Sequence, residues 1–410
     1  GVTIGENSVV AAGAVVSKIN ISVPKDFPLL YVKDPIKEFI NLGLVARDRY
    51  KGHVIAITGS VGKSTLNSML KSQLSKSGNK VLSSIDNYNS RVGAPGILAS
   101  LSKDYFAVVI EMAQSALSMK RGPITQLIKP TICVVNSISP AHMERHQSLK
   151  SLALNKSKIF FGAKSGGLAV INRDIPYFKE VCEIAFQNKL RVVTYGENKD
   201  SSFRYVSSFS GGFCFQYKSN FYNIKSKNIG KHIHINSLAV IAILNELSIS
   251  WMEAGFEIDF DMPEGRGDSF YYYFGEANEK RAKIINHAYN AAPASMEAAL
   301  HEITLETPNA EGRKVVILGD MMELGEKSDI HHKKIFFILN NLDIDLVLLT
   351  GKLITKNVTF LEKDFLVFYS FNNLFERLPF ILRDGDIVMA KGSNSTGIMS
   401  FLKKIKNSKN

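Results

Sequence analysis

Thr58-Gly59-Ser60-Val61-Gly62-Lys63-Ser64-Thr65 lies between an apolar run at residues 54–57 and a helical pattern at residues 66–77. A strand, a glycine-containing turn and a helix in this order point backbone N–H groups and the positive end of the helix dipole at one spot. There the lysine can reach the β and γ phosphates of a nucleotide while the Ser64 hydroxyl ligates Mg²⁺. This segment, called the phosphate loop below, predicts a nucleotide-binding α/β fold. It is a shortened form of the general motif, because Ile57 stands where a first glycine is usual.

Short apolar strands alternate with amphipathic helices from Lys51 onward, which predicts a mostly parallel sheet with helices on both faces. Around Gly211 and Gly212 the pattern changes to polar and aromatic alternation, which predicts an antiparallel hairpin or meander at residues 203–224. The parallel strands of this series are predicted at residues 54–58, 80–83, 107–112, 131–136, 168–172 and 192–195.

A hinge is predicted at the glycine-containing residues 263–267, and a second alternating series follows it. The order favours two α/β domains in tandem: a P-loop, ATP-binding central domain at residues 51–262 and a Rossmann-like C-terminal domain at residues 263–410. In the second series, strands are predicted at residues 283–289, 315–319, 346–350, 366–369 and 387–390, and helices near 293–303, 329–339 and 396–404.

Ile4, Val10 and Val16 recur every six residues near the amino end, with small residues between them. The stretch resembles the last coil of a left-handed β-helix of hexapeptide-repeat acyltransferases, although one coil cannot bury its own apolar face. Two interpretations stay open for residues 1–50: a β-helix remnant with a linker, or a plain strand and loop. The remnant is favoured because residues 23–24 and 31–35 look like the exit segment of those enzymes. The chain does not begin with Met and can be a piece of a longer protein, and a complete upstream β-helix would imply a trimer.

Composition narrows the classes of partner. The 410 residues are 45% hydrophobic and can bury the cores of two or three domains. Lys and Arg exceed Asp and Glu by 50 to 38, and the net charge of +12 favours anionic partners such as nucleotides or acidic saccharides. Nucleic acid is disfavoured because no basic run is interleaved with aromatic residues. Three separated cysteines favour a reducing cytoplasm, and the apolar runs are too short to span a membrane.

Further motifs follow the phosphate loop along the chain. In their order and spacing they resemble the Mur ligase superfamily, and within it the branch that adds D-alanyl-D-alanine to UDP-N-acetylmuramoyl-tripeptide, over residues 51–405. The motifs are DNYNSRVGAP at 86–95, VVIEMA at 108–113, VVNSISPAHMERH at 134–146, LNKSKIF at 154–160, GKHIHINSLA at 230–239, PEGRG at 263–267, NHAYNAAPASMEAAL at 286–300, VVILGDMMELGEKSDIHH at 315–332 and GDIVMAKGSNS at 385–395.

The resemblance implies an ATP-dependent, ADP-forming ligase that joins a carboxylate to an amino acid or peptide amine through an acyl phosphate. A role in cell-envelope or surface-polysaccharide biosynthesis is implied with it. A carboxylate that attacks a γ phosphate brings two anions together, so such a site must supply cations and oriented hydrogen-bond donors. The acid is expected to be an acidic small molecule or a sugar-linked one.

Catalytic roles are implied by the resemblance for Lys63, Glu111, His142 and Lys156. The last three, with Ser64, match metal ligands, and Lys156 matches a lysine that many members carbamylate. From the residues alone, Glu111 ends an apolar strand, and hard cations prefer carboxylate oxygen. A lone histidine is more often a structural residue than a ligand, and Lys156 without the family would be one more surface lysine.

The resemblance also implies contacts with the nucleotide and with the substrates. Asn236 matches the residue that reads adenine, and Arg266 matches the arginine that reaches the nucleotide when the domains close. Glycines in the later motifs could equally serve tight turns. The substrate-facing matches are Asn89, Gly93, Tyr289, Asn290, Asp320, Glu323 and Lys391.

Three departures from the family pattern bear on the nucleotide and the substrate, the first of them removing a carboxylate expected to help hold the nucleotide. Asn286 and His287 stand where an Asp pair is usual, and Asn394 replaces an arginine that could hold a carboxylate in a bidentate pair. The residues before the phosphate loop resemble a β-helix end and not the family's UDP-sugar-binding domain. We therefore expect an amide ligase whose acid differs from the muramoyl peptide, such as a uronic acid or another acidic sugar of a capsule or O-antigen.

Two other functions compete with the ligase. A non-catalytic nucleotide-binding scaffold for an acyltransferase is suggested by the lost Asp pair and arginine. Against it, the phosphate and metal set is retained as a whole, and drift after a loss of catalysis should not spare that set selectively. A P-loop kinase or GTPase is disfavoured by the missing first glycine and by the absence of a guanine-specifying Asn-Lys-x-Asp sequence.

Overall fold

The computed structural model describes residues 14–16, 29–84, 93–118, 124–140, 148–228, 230–253, 255–309 and 311–408. Sixteen strands lie in two sheets, one of ten strands and one of six. The predicted α/β class, with a large mostly parallel sheet and a second C-terminal sheet, is therefore confirmed. Within the described ranges, no helix combines the length and the apolar character needed to cross a bilayer.

The amino-terminal part contains strands β1 (Ala14–Val16) and β2 (Leu29–Tyr31), which pair in parallel, and helix α1 (Pro35–Arg49). Asp34 caps α1 by accepting a hydrogen bond from the Lys37 N–H at 3.1 Å, and a proline begins the helix. The helix was missed by the sequence analysis, which expected a linker. Gly43 brings α1 against the helix at Gly93–Ala99, since a Cβ there would lie 2.4 Å from the Pro95 carbonyl oxygen. Two of the hexapeptide positions, Ile4 and Val10, lie outside the described residues.

The large sheet has the order β12-β11-β10-β9-β8-β7-β6-β3-β5-β4. Strands β3 to β9 pair in parallel, and β9, β10 and β11 form the antiparallel meander predicted for residues 203–224. The strands are β3 (His53–Thr58), β4 (Val81–Ser83), β5 (Ala107–Glu111), β6 (Ile132–Val135), β7 (Leu168–Asn172), β8 (Arg191–Gly196), β9 (Phe203–Phe209), β10 (Gly212–Tyr217), β11 (Asn220–Ser226) and β12 (Glu257–Ile258).

Helices cover both faces of this sheet. They are α2 (Lys63–Lys76), α3 (Gly93–Ala99), α4 (Gln114–Leu117), α5 (Thr125–Ile128), α6 (Leu149–Ser157), α7 (Phe178–Gln187) and α8 (Lys231–Glu246). Because successive side chains of a strand point to opposite faces, β3 contributes to two cores. Ile55 and Ile57 pack with α2 and α8, whereas Val54 and Ala56 pack with α3, α6 and α7. The phosphate loop thus leaves a strand that is buried on both faces, beside the point where the strand order reverses.

The second sheet has the order β13-β14-β18-β15-β16-β17, antiparallel only between β13 and β14. Its strands are β13 (Asp268–Phe274), β14 (Lys280–Asn286), β15 (Lys314–Gly319), β16 (Leu346–Thr350), β17 (Phe365–Phe368) and β18 (Ile387–Lys391). Its helices are α9 (Pro293–Thr304), α10 (Ser328–Asn340), α11 (Lys352–Thr355), α12 (Phe371–Ile381) and α13 (Ile398–Asn407).

The predicted strand at residues 283–289 is wrong at both ends. Strand β14 ends at Asn286, because the side-chain oxygen of Asn286 accepts the Ala288 N–H at 3.1 Å and turns the chain out of the sheet. The preceding edge strand β13 was not predicted. Its alternate residues Tyr272 and Phe274 are buried in the core of the sheet, as expected for a strand with one face covered.

A buried ion pair fixes the end of the second sheet that lies away from the phosphate loop. Asp386 has 0% exposure and accepts the Arg313 Nη2 hydrogen at 2.9 Å and the N–H groups of Arg313 and Arg383 at 2.7 and 2.9 Å. We expect Asp386→Ala to lower the free energy of unfolding by about 3–5 kcal/mol, since it leaves a guanidinium unpaired.

Urea unfolding measures this loss, with Asp104→Ala as the control. Asp104 pairs with Lys80 at the surface, where both side chains are more than half exposed, and its removal should change stability little. Equal losses in the two variants would contradict the assignment of Asp386 as a structural anchor.

Candidate active site

A cleft of about 910 Å³ lies between the two sheets and is lined by residues of both. The large sheet contributes the phosphate loop and the carboxyl ends of its neighbouring strands, and the second sheet contributes the turns after β14, β15 and β18. Most predicted site residues therefore meet in one place. Those that line the cleft are Gly59, Ser60, Val61, Gly62, Lys63, Thr65, Glu111, Lys156, Asn236, Arg266, Tyr289, Asn290, Glu323 and Lys391.

Other predicted residues lie elsewhere. Thr58 is fully buried and donates to the Met112 carbonyl at 3.2 Å, and Gly93 begins α3 inside the protein. Ser64 contacts Glu111 behind the lining, and Asp320 is considered below. Asn89 and His142 fall outside the described residues, so their predicted contacts stay predictions.

The phosphate loop turns sharply at Gly62, which has φ = 78° and directly precedes α2. Helix α2 begins at Lys63, three residues before the predicted start, and has no side-chain cap at its amino end. Its first N–H groups have no acceptor within the helix, which makes this end a site for anions. The Lys63 ammonium donates to the Gly59 carbonyl at 2.9 Å, which folds the lysine back over the loop.

The loop is fastened to the segment that follows β6. The Ser60 N–H donates to the Ser137 carbonyl at 2.9 Å, and the Ser60 hydroxyl donates to the Ser139 carbonyl at 2.9 Å. The Ser139 N–H returns a hydrogen bond to the Ser60 hydroxyl at 3.0 Å. These bonds hold the loop against its neighbour strand without using the lysine.

Two oxygen donors meet beside the loop. The Ser64 hydroxyl donates to the Glu111 carboxylate, and Glu111 is 2% exposed at the end of β5. A hydroxyl and a carboxylate oxygen in contact are the donors that Mg²⁺ prefers. In the part of the chain that the structure describes, no group of three or more His, Cys, Asp and Glu side chains could hold a metal ion, so the Ser64–Glu111 pair is the candidate donor set there.

Lys156 projects into the same cleft from α6 and is 3% exposed. Burial, and then the positive charge of Lys63, hold the pKa of Lys156 well below its ordinary value. Among the described residues, no carboxylate forms an ion pair with it. The arrangement favours the neutral amine, which is the nucleophilic form of a lysine.

Arg266 lines the cleft from the segment between the two sheets. Its guanidinium stacks on the Tyr289 ring at 3.8 Å from the centroid, while the Tyr289 N–H donates to the Gly265 carbonyl at 3.0 Å. Asn236 of α8 also lines the cleft and is 6% exposed, with its side-chain nitrogen beside Gly62. A planar cation and an amide at this position suit the base and phosphates of a nucleotide.

A buried cluster occupies the place of the missing Asp pair. The His287 Nε2 atom lies 3.4 Å from the Glu302 carboxylate, and the His232 Nε2 atom lies 3.8 Å from it. Lys391 donates to the carbonyls of Asn290 at 2.8 Å and of His287 at 3.3 Å, and burial lowers its pKa to about 7. Glu302 therefore brings a carboxylate from α9 to a position that the sequence pattern left empty.

On the far side of the cleft, the turn after β15 presents Glu323 and not Asp320. The Asp320 carboxylate is buried and accepts the Leu353 and Ile354 N–H groups at 3.0 and 2.8 Å, so it caps α11. His332 accepts the Met321 N–H at 3.0 Å, which holds the turn in place. The structure thus assigns Asp320 to the support of the site and Glu323 to its lining.

Several lining residues were not singled out as site residues. Asn136 is the last residue of a predicted strand, and Ser137 and Gln114 follow predicted strands, so their position at a strand end was the available signal. His232 is part of the GKHIHINSLA motif, and His287 and Asn394 were recognised only as departures. Glu302 carried no signal, because nothing in the sequence shows which face of α9 meets the hinge.

Comparisons with known proteins agree with this geometry. The family model "Mur ligase middle domain" matches residues 57–244, and the model "Mur ligase, glutamate ligase domain" matches residues 274–394. The UDP-N-acetylmuramoyl-tripeptide–D-alanyl-D-alanine ligase of Escherichia coli is 29% identical over 350 residues, covering 83% of this chain and 74% of the relative. The enzyme of the same name from Buchnera aphidicola is 28% identical over 365 residues, covering 87% and 76%.

Solved structures share the fold. MurF from Acinetobacter baumannii superposes with a TM-score of 0.79 at 22% identity, covering 96% of this chain and 84% of that one. MurF ligase from Thermotoga maritima, solved with ADP, gives 0.76 at 19% identity, covering 97% and 88%. The two family models and the curated relatives indicate the class of an ATP-dependent C–N ligase. The chain belongs to the Mur ligase family, and it is an ATP-dependent, ADP-forming ligase of that type.

Gly62 should be required for nucleotide binding. A Cβ at Gly62 would lie 2.7 Å from the Asn136 side-chain nitrogen, and φ = 78° disfavours any other residue. We expect Gly62→Ala to weaken ADP binding at least about tenfold in calorimetric titration, because the loop must shift.

Gly78→Ala is the matched control at the other end of α2. Gly78 has φ = 79°, yet nothing lies within 4 Å of its Cβ position, so the backbone strain is the same without the clash. Its ADP affinity should equal that of the native protein. Equal weakening in both variants would show that strain in α2, and not the shape of the loop, controls binding.

Proposed function

We propose that the cleft joins a carboxylate to an amine in two steps that share one set of residues. In the first, a carboxylate oxygen attacks the γ phosphorus of ATP and the bond from that phosphorus to the β–γ bridging oxygen breaks. ADP departs, and the acid is converted to an acyl phosphate. In the second, the amine nitrogen attacks the acyl carbon, phosphate departs and the nitrogen loses a proton. One observation supports this most: the phosphate loop, the Ser64–Glu111 pair and buried Lys156 face a single cleft that the second sheet closes.

The positively charged groups of the cleft would bind the phosphates of ATP. Lys63 and the amino end of α2 would bind the phosphates, and Arg266 would approach them from the second sheet. These cations offset the repulsion between the carboxylate and the γ phosphate. Closure of the cleft between the two sheets would exclude water, which would otherwise hydrolyse an acyl phosphate.

The Ser64 hydroxyl and the Glu111 carboxylate would hold Mg²⁺, since both are hard oxygen donors already in contact. When bound, the ion neutralises charge on the phosphate oxygens. His142 stays a predicted further ligand. Carbamylation of Lys156 is proposed as well, because the nitrogen of a neutral buried amine can attack the carbon of carbon dioxide and release a proton, which gives a carbamate with carboxylate-like oxygen atoms.

For the substrates, the relatives supply the first candidate. Their name describes a ligase of UDP-N-acetylmuramoyl-tripeptide and D-alanyl-D-alanine, which agrees with the prediction of a sugar-linked acid and a peptide amine. Asn394 favours a second candidate, because this exposed residue lines the cleft where the resemblance expects an arginine. A different envelope acid, such as a uronic acid, is therefore tested beside the first.

The proposed substrates also indicate where the reaction takes place in the cell. ATP and a nucleotide-sugar substrate would place the reaction in the cytoplasm. The β-helix remnant at residues 1–50, and the trimer that a complete β-helix would imply, stay predictions.

Hydroxylamine intercepts an acyl phosphate, so the acid can be identified before the amine is known. We expect ATP- and Mg²⁺-dependent hydroxamate from one acid in a panel of UDP-N-acetylmuramoyl-tripeptide, uronic acids and acidic nucleotide sugars. Lys156→Ala should lower the rate on the order of 10²-fold or more, because an electrostatic group of the site is lost. Added acetate should restore part of the rate if the missing group is a carbamate.

Lys150→Ala is the control, since Lys150 lies exposed on the same helix. It should keep the native rate. Full activity of Lys156→Ala, or a complete lack of hydroxamate from every acid in a protein that binds ATP, would contradict the proposal and favour the scaffold.

A further inference from the structure

Tyr195 is a polar residue of the core that the reaction scheme does not use. It lies at the end of β8, has 0% exposure, and donates a hydrogen bond to the Asn136 side-chain oxygen at 2.6 Å. Burial raises the pKa of Tyr195, so its hydroxyl keeps its proton and can act as the donor. A hydroxyl at this depth requires a partner, and it finds one in a residue that lines the cleft.

Asn136 contacts the phosphate loop as well as Tyr195. Its side-chain nitrogen donates to the Val61 carbonyl at 3.4 Å, and the Ser137 hydroxyl donates to the same carbonyl at 2.8 Å. If the amide were turned by half a rotation, its oxygen would face the Val61 carbonyl oxygen, and two acceptors would repel each other. The Tyr195 hydroxyl stabilises the favourable orientation, because it donates a hydrogen bond to the amide oxygen.

The orientation of one peptide unit follows from these bonds. In a trans peptide the C=O and the next N–H point in opposite directions. Holding the Val61 carbonyl toward Asn136 and Ser137 therefore points the Gly62 N–H away from β6. The Val61 N–H is itself bound to the Ser137 hydroxyl at 2.9 Å, whereas the Gly62 N–H has no acceptor among the residues that the structure describes.

We propose that Tyr195 is a positioning residue for nucleotide phosphate binding. Through the Asn136 amide it keeps the Val61 carbonyl pointing toward Asn136 and Ser137, so that the Gly62 N–H faces the phosphate. The inference rests on the proposed function, because it takes the loop as the site of the phosphates. It adds two residues, on β8 and after β6, to the machinery that shapes the loop. It also explains why a side chain at position 62 is excluded, since the Asn136 amide occupies that space.

Tyr195→Phe tests the proposal by removing a single hydroxyl. We expect ADP to bind about fivefold to tenfold more weakly in calorimetric titration, because a buried hydrogen bond that orders the loop is lost. In the hydroxamate assay the KM for ATP should rise by a similar factor, while the KM for the acid stays unchanged. A purely structural role of the hydroxyl would lower stability without this separation of the two KM values.

Tyr50→Phe is the matched control. Tyr50 is a buried tyrosine, 3% exposed, that precedes the amino end of β3, whereas Tyr195 lies at the carboxyl end of β8 in the same sheet. Its variant should bind ADP as the native protein does. Equal ADP affinity of Tyr195→Phe and the native protein would overturn the proposal.

A double-variant cycle shows whether Tyr195 acts through Asn136. Asn136→Leu keeps the shape of the side chain and removes the amide, so it should weaken ADP binding even if Tyr195→Phe fails to fold. Combined with Tyr195→Phe, it should bind ADP no more weakly than Asn136→Leu alone. Additive losses would contradict the relay. A native protein that does not bind ADP would instead refute the proposed function of the loop.

Discussion

The left-handed turn at Gly62 is the constraint on which the site depends. It lets a strand buried on both faces end and a helix begin within a few residues, so that the amino end of α2 opens directly into the cleft. The turn also brings the backbone into contact with two amides, since Asn136 and Asn236 both lie within 4 Å of the Cβ position that glycine lacks. A side chain there would separate the loop from its neighbour strand and from the helix that faces the nucleotide.

Charge is arranged around this turn in an unusual way for a buried region. Lys63 and Lys156 enter the cleft from the large sheet, and Arg266 and Lys391 enter it from the linker and the second sheet. Burial lowers the pKa of Lys63, Lys156 and Lys391, which marks a region where positive charge is costly without an anion. A polyanion such as ATP would relieve that cost, so binding and closure of the cleft should favour each other.

The sequence carried the local part of this structure well. The phosphate loop, the alternating strands and the meander rest on short-range patterns, and these were confirmed within a few residues. Helix α1 was not predicted, although Asp34 and Pro35 form an ordinary helix start signal, because the hexapeptide pattern before it favoured a linker. The contacts of Glu302 and Tyr195 could not be predicted, since they depend on how distant elements pack. From the sequence, a tyrosine at a strand end is interpreted as a core residue. Only the structure identifies the hydrogen-bond partner of its hydroxyl.

We expect one nucleotide to contact both sheets across the cleft. Hydrogen–deuterium exchange with and without ADP and Mg²⁺ tests this expectation in peptides that cover residues 59–66 and 286–292. Exchange should become slower in both segments when ADP binds, because the phosphate loop and the turn after β14 line the same cleft. Protection of the first segment with no change in the second would contradict a shared site and leave the second sheet without a part in nucleotide binding.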